Sequence, residues 1–75
     1  MTREENIVRE LNLAEQRLKK AILNHDDEGR EKQINYINGM VRMLIMLGYR
    51  LIESVEVENV EGYWIEEYLS IEDAR

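Results

Sequence analysis

Residues 34 to 47, Ile-Asn-Tyr-Ile-Asn-Gly-Met-Val-Arg-Met-Leu-Ile-Met-Leu, are too apolar for a helix that covers only one small core. Wound at about 100° per residue, Ile34, Ile37, Val41, Leu44 and Ile45 form one stripe, and Met40, Met43 and Leu47 widen it to an arc of roughly 200°. Such a helix needs cover on two sides. One side is the rest of the chain; the other is most readily a second copy or a partner. With 75 residues and no cysteine, the chain has neither the bulk of a large core nor a disulfide to support it, so oligomerisation is the common remaining way to bury more area. The expectation is a homo-oligomer, a dimer first, with Met40, Met43, Leu44 and Leu47 at the interface.

The second constraint is where the charge lies. The net charge is −6, yet residues 1 to 49 hold eight acids and eight bases. The whole imbalance falls after Tyr49, where Glu53, Glu56, Glu58, Glu61, Glu66, Glu67, Glu72 and Asp73 face only Arg50 and Arg75. A field of this sign repels nucleic acid and anionic membrane surfaces and attracts basic protein surfaces. The apolar run around residues 40 to 47 is far shorter than the roughly 20 residues a spanning helix needs, and Arg42 interrupts it. No apolar segment of the export type follows Met1-Thr2-Arg3-Glu4-Glu5. A soluble protein of the cytoplasm is expected.

The spacing predicts an α+β fold in one small domain: a helix over about 3–23, a second over about 27–47, packed as an antiparallel hairpin, then a two-stranded β-hairpin over about 50–70. Thr2-Arg3-Glu4-Glu5 fits a capping box at the first helix start, and Ile7, Leu11, Ala14, Leu18, Ala21 and Ile22 form its apolar stripe. Glu5 with Arg9 and Glu15 with Lys19 make acid-before-base pairs on the outer face. Asn24 suits the left-handed residue that ends a helix, and Asp26 or Asp27 suits the cap of the next. Gly48 then offers a stop for the second helix. The alternative is an all-α chain, because Leu51, Ile52 and Val55 continue the helical stripe to about residue 55. Against it stand the alternation of Val55-Glu56-Val57-Glu58 and the strand-favouring Tyr63-Trp64-Ile65.

In the expected register Val57 opposes Tyr63, Val55 meets Ile65 and Leu51 meets Leu69, with the turn at residues 58 to 62. Glu53 would then face Glu67 on the side toward the helices, a like-charge pair that is unfavourable unless it sits at the open edge or binds a cation. The opposite face would show Ile52, Glu56, Trp64, Glu66 and Tyr68, outward and solvent-facing.

Little in the chain suits catalysis. There is no cysteine, the only serines are Ser54 and Ser70, and His25 lies beside Asp26 and Asp27 with no second histidine. The four glycines are scattered singly, in no phosphate-loop pattern. No cofactor or metal ligand set is expected. Aromatic rings among carboxylates do suit a cationic side chain, through cation–π contact and ion pairing together. Glu56, Trp64, Glu66 and Tyr68 are therefore the expected partner-binding surface of a non-enzymatic regulator or inhibitor that docks on a basic protein. Acidic domains of this size are often encoded by phages and other mobile elements as inhibitors of host enzymes, an expectation with no motif behind it. The other reading is an oligomer that binds a small cationic or neutral ligand between subunits, against Tyr36, Met40, Met43 and Tyr49.

Overall fold

The computed structural model describes residues 2–75. Two helices, α1 (Arg3–Leu23) and α2 (Asp27–Met46), are followed by four short strands, β1 (Tyr49–Glu53), β2 (Glu58–Val60), β3 (Tyr63–Ile65) and β4 (Tyr68–Asp73). The fold is α+β, and the all-α alternative is excluded because the chain turns into β1 three residues after α2.

Thr2 caps α1 as its sequence implies: its hydroxyl accepts from the Glu5 backbone N–H at 3.1 Å and donates to the Glu5 carboxylate at 3.2 Å. Asp26 caps α2 by accepting from the Gly29 N–H at 2.9 Å. Between the helices the left-handed residue is His25, with φ 54°, while Asn24 has φ −90°. The position expected for Asn24 is shifted by one because Asn24 still donates its N–H back into the helix, to Lys20. At the other end Gly48 takes φ 92°, and a Cβ there would strike the Arg75 side chain, so the reversal into β1 depends on glycine.

The β region is one long hairpin interrupted in the middle. β1 pairs with β4 and β2 pairs with β3, both antiparallel. The tip is a tight two-residue turn in which Glu61 and Gly62 both have positive φ, the geometry that matches the twist of paired strands. This corrects the expected five-residue turn: Val60 opposes Tyr63, Asn59 opposes Trp64 and Glu58 opposes Ile65. The expected pairs at the base are displaced as well. Leu51 opposes Ile71, and Val55 lies between strands, 98% exposed.

The base contains a bulge. Ile52 pairs with Ser70 but Glu53 pairs with Tyr68, leaving Leu69 as the extra residue. A bulge reverses the in-and-out alternation on one side of it. Ile71 points inward; strict alternation would send Leu69 inward with it and Tyr68 outward. Instead Tyr68 is buried and Leu69 is exposed.

The core forms two adjoining clusters. Ala14, Leu18, Ile22, Ile37, Val60 and Ile65 make one, and Leu11, Leu44 and Tyr68 make the other. Both lie along the α1 stripe, which packs on α2 at one side and on the strands at the other.

Candidate functional site

The α1 stripe holds one residue that its chemistry does not explain. Glu15 lies four residues after Leu11 and three before Leu18, so it points inward with them, and it is only 3% exposed. The expected surface pair with Lys19 therefore does not form. Lys19 instead reaches the Glu58 carboxylate at 2.9 Å, and Glu5 with Arg9 is likewise absent from the ion pairs among the described residues.

Tyr68 meets Glu15 from the strand side. The Asn12 side chain holds the tyrosine backbone at both ends: its amide donates to the Tyr68 carbonyl and its oxygen accepts from the Tyr68 N–H, each at 2.8 Å. A primary amide has the donor and acceptor of a peptide group, so Asn12 serves as a one-residue substitute for a pairing strand beside the bulge. Held there, the Tyr68 hydroxyl donates to Glu15 Oε1 at 3.3 Å. Glu15 Oε2 is buried with no hydrogen-bond partner.

Around this pair opens a cleft of about 350 Å³ between α2 and the β2–β3 ribbon. Its floor is Glu15, Leu18 and Tyr68; α2 contributes Ile34, Ile37, Asn38 and Val41; the strands contribute Glu53, Tyr63, Trp64 and Glu66. Three carboxylates thus share one cleft with three aromatic side chains, and no lysine or arginine lines it. Burial drives the Glu15 pKa above its ordinary value, partly offset by the Tyr68 hydroxyl and the Glu66 backbone amide, while the Glu66 and Glu53 charges push it further up. Glu66 is raised by burial and then by Glu53. Burial, followed by the Glu15 and Glu53 charges, keeps the Tyr68 phenol protonated far above the usual tyrosine range.

The expected partner-binding residues are divided by this geometry. Trp64, 63% exposed, and Glu66 line the cleft. Tyr68 also lines it, from within the core rather than from the outer face; the bulge is the reason. Glu56 lies in a neighbouring acidic depression with Asn12, Gln16, Glu58, Ile65, Glu66 and Glu67, so Glu66 forms the divide between the two. Glu53 does not face Glu67: the bulge sets it opposite Tyr68 and near Glu66. Sequence reasoning missed Glu15 as a cleft residue, although its place in the apolar spacing of α1 was the available signal. The alternation does put Glu53 on the side toward the helices, but opposite Glu67, because the bulge that sets it against Tyr68 leaves no sequence signal.

On the far side of α2, Tyr36, Met43, Met46 and Leu47 are exposed, and Ile45 is exposed on another flank of the helix; Met40, expected at that interface, is half-buried and packs against the Leu11, Leu44 and Tyr68 cluster. Leu44 is excluded from that face: it is 2% exposed and packs with Leu11 and Tyr68. Tyr49 is half-buried against the same cluster, with the Arg75 guanidinium 5.7 Å from its ring centre. Gly39 has open space where a side chain would be. A larger depression, about 530 Å³ between the start of α1 and β4, is lined by Val8, Leu69 and Ile71 with Glu4, Glu5, Arg9 and Ser70, none of whose polar side chains is buried.

Among the described residues, no three of histidine, cysteine, aspartate and glutamate are placed to hold a metal ion, and no helix is long and apolar enough to cross a membrane. Comparison of the chain with family models, with curated proteins and with solved structures gives no match.

Proposed function

We propose that this chain is a binding protein rather than an enzyme, and that its acidic β region docks onto a basic surface of a protein partner as a regulator or inhibitor. The observation that carries this reading is the distribution of unpaired charge. Glu15, Glu53, Glu56, Glu66 and Glu67 take part in none of the ion pairs among the described residues; Glu15, Glu53 and Glu66 share a cleft with the exposed Trp64, and Glu56 and Glu67 line the adjoining depression. An isolated protein gains nothing from concentrating carboxylates without counter-charges, whereas a partner that brings cations relieves their repulsion and adds the burial of an indole. The absence of cysteine suits a reducing cytoplasm as the place of action.

A second element of the proposal is self-association through the outer face of α2, most simply as a dimer. Met43, Met46 and Leu47 support it: at helical spacing they fall within about 100° of one another, each is more than half exposed and Met46 is 80% exposed, the kind of apolar patch a monomer does not usually leave in water. The gap at Gly39 adds room for a second helix to approach.

The test is the binding of a lysine- and arginine-rich peptide, followed by Trp64 fluorescence over a range of salt, with the mass of the same samples measured by light scattering. Saturable binding is expected, weakening as salt rises beyond about 0.15 M, where the Debye length is near 8 Å. The paired reversal Glu56→Lys with Glu67→Lys should weaken it at least tenfold with an unchanged circular dichroism spectrum. Affinity retained within twofold would overturn the docking surface. The mass should be a multiple of 9.0 kDa; a monomer would overturn self-association alone.

A further inference from the structure

We propose that the cleft between α2 and the β2–β3 ribbon is a receptor for one guanidinium group, supplied by an arginine side chain of the partner, with Glu15, Glu53 and Glu66 as its carboxylate ligands and Trp64 as its stacking wall. This inference rests on the docking surface proposed above and names the group that surface takes in.

Three independent features of the cleft agree on this ligand. The first is the unsatisfied acceptor. Glu15 lines the cleft yet is 97% removed from solvent; Tyr68 donates to Oε1, and Oε2 is buried with no donor at hydrogen-bond distance. A buried carboxylate oxygen without a partner is uncommon in a folded protein, and a donor brought by a ligand satisfies it directly. The second is charge: the cleft has three carboxylates and no cation. The third is shape and wall chemistry. A cleft of about 350 Å³ is many times the roughly 10–15 Å³ that one water needs, enough for a planar head group and part of its methylene stem. Tyr63 and Trp64 are both among its lining residues, and Tyr63 already carries a guanidinium, that of Arg30, 5.3 Å from its ring centre.

These features discriminate among cations. A divalent metal needs several oxygens converging within about 2.0–2.6 Å of one point, and the carboxylates here are not so placed. A guanidinium spreads five donors around a plane and reaches separate acceptors at once. It is also less strongly hydrated than an ammonium and stacks on rings, so it enters a half-dry aromatic cleft at smaller loss. Arg30 does not supply the group from within the chain: it is absent from the cleft lining, and its guanidinium is held by Asp27 at 2.8 Å and over the Tyr63 ring.

The experiment uses the full chain and the ¹H–¹⁵N signal of the Trp64 indole, which is unambiguous because the chain has one tryptophan. The probes are N-acetyl-arginine amide, its neutral citrulline counterpart, N-acetyl-lysine amide and calcium chloride. The arginine compound should give a saturable shift, the lysine compound at least threefold weaker binding, and citrulline and calcium no saturable shift. Glu15→Gln should weaken the arginine compound at least tenfold, and Glu66→Gln should do the same by a route that does not alter the core. The surface reversal of Glu56 and Glu67 should leave the arginine compound within threefold at 0.15 M salt while weakening the basic peptide. Equal binding of citrulline, saturable binding of calcium in preference to arginine, or unchanged affinity in both glutamine variants would overturn the receptor. If the glutamine variants bind the basic peptide normally while the surface reversal does not, the acidic docking surface stands and the cleft is not part of it. If the arginine compound binds in a Glu15-dependent way but the basic peptide binds no more tightly, the cleft stands and the extended docking surface fails.

Discussion

The helical hairpin and the β region of this chain are set in phase by different physics. In α1 and α2 the inward face follows from a local rule, 3.6 residues per turn, and the backbone ladder is made between residues four apart. In the β region the inward face depends on the pairing register, and one bulge reverses it. What fixes the bulge lies in the other half of the molecule: the Asn12 side chain, 56 positions away, takes both backbone groups of Tyr68. The candidate site sits at this junction, with Glu15 aimed by the helix rule and Tyr68, Glu53 and Glu66 aimed by the bulge.

The most forceful way to break this comparison is a pair of neighbouring substitutions. Tyr68→Ala removes a buried ring from the Leu11–Leu44 cluster and should lower stability by about 3–5 kcal/mol. A domain of this length holds only about 4–11 kcal/mol in total, so the variant should be largely unfolded in a thermal melt at ordinary temperatures. Leu69→Ala, one residue on, removes a side chain that is 58% exposed and should change stability by less than about 0.5 kcal/mol. Strict strand alternation demands the reverse order. A larger loss at Leu69 than at Tyr68 would restore the unbulged hairpin and empty the cleft of its floor.

A smaller effect is expected where the two halves are joined. Asn12→Ala leaves the Tyr68 N–H and carbonyl without partners in a half-buried place and should destabilise by about 1–3 kcal/mol. The diagnostic readout is hydrogen exchange. The Tyr68 amide should exchange much faster, while amides in the middle of α2 should follow only the global loss. Uniform acceleration across the chain would mean that Asn12 supports the core in general and does not determine the direction of the bulge.

This division also explains what could be read from the chain. The ends of α1 and α2 were legible at Thr2, Asp26 and Gly48 because capping is chemistry between residues three or four apart. The α+β class was legible because the period changes after Gly48. The aromatic and acidic character of the site was legible too, and Trp64 and Glu66 do share it. The register was not. Sequence alternation from Val55 to Glu58 suggested a continuous strand, but that segment bridges two short ladders, and its turn closes on Glu61-Gly62 instead of spanning five residues. Glu15 is the instructive intermediate case: its position in the helical stripe was readable, but pairing it with Lys19 treated charge as proof of exposure.

The smallest expected effect sharpens the comparison most, because it concerns a helix residue whose energetics are set by the strands. Glu15 has its pKa raised in the folded chain, first by burial and then by Glu66 and Glu53, against the Tyr68 hydroxyl and the Glu66 backbone amide; α2 presents only Ile34, Ile37, Asn38 and Val41 to the cleft, so no cation compensates. For a group raised on folding, its contribution to stability is fully present below the unfolded value near 4.5 and is lost as pH rises through the higher folded value. Glu66 has the same sign. Asp73, held down to about 2 by Arg75, acts in the opposite sense, but its window lies below its ordinary 3.8 and does not overlap. The melting temperature of the ligand-free protein should therefore fall as pH rises from about 4.5 toward neutrality, where most small domains gain or hold stability. Glu15→Gln keeps an acceptor for Tyr68 and carries no charge, so it should gain about 1 kcal/mol at pH 7 and flatten the slope. A variant that is less stable than the parent at neutral pH would mean the carboxylate already has a counter-charge in the free chain. In that case its orphaned oxygen no longer calls for a ligand. A stabilised variant that no longer takes up arginine would show instead that Glu15 is kept at the expense of the fold for the sake of the cleft.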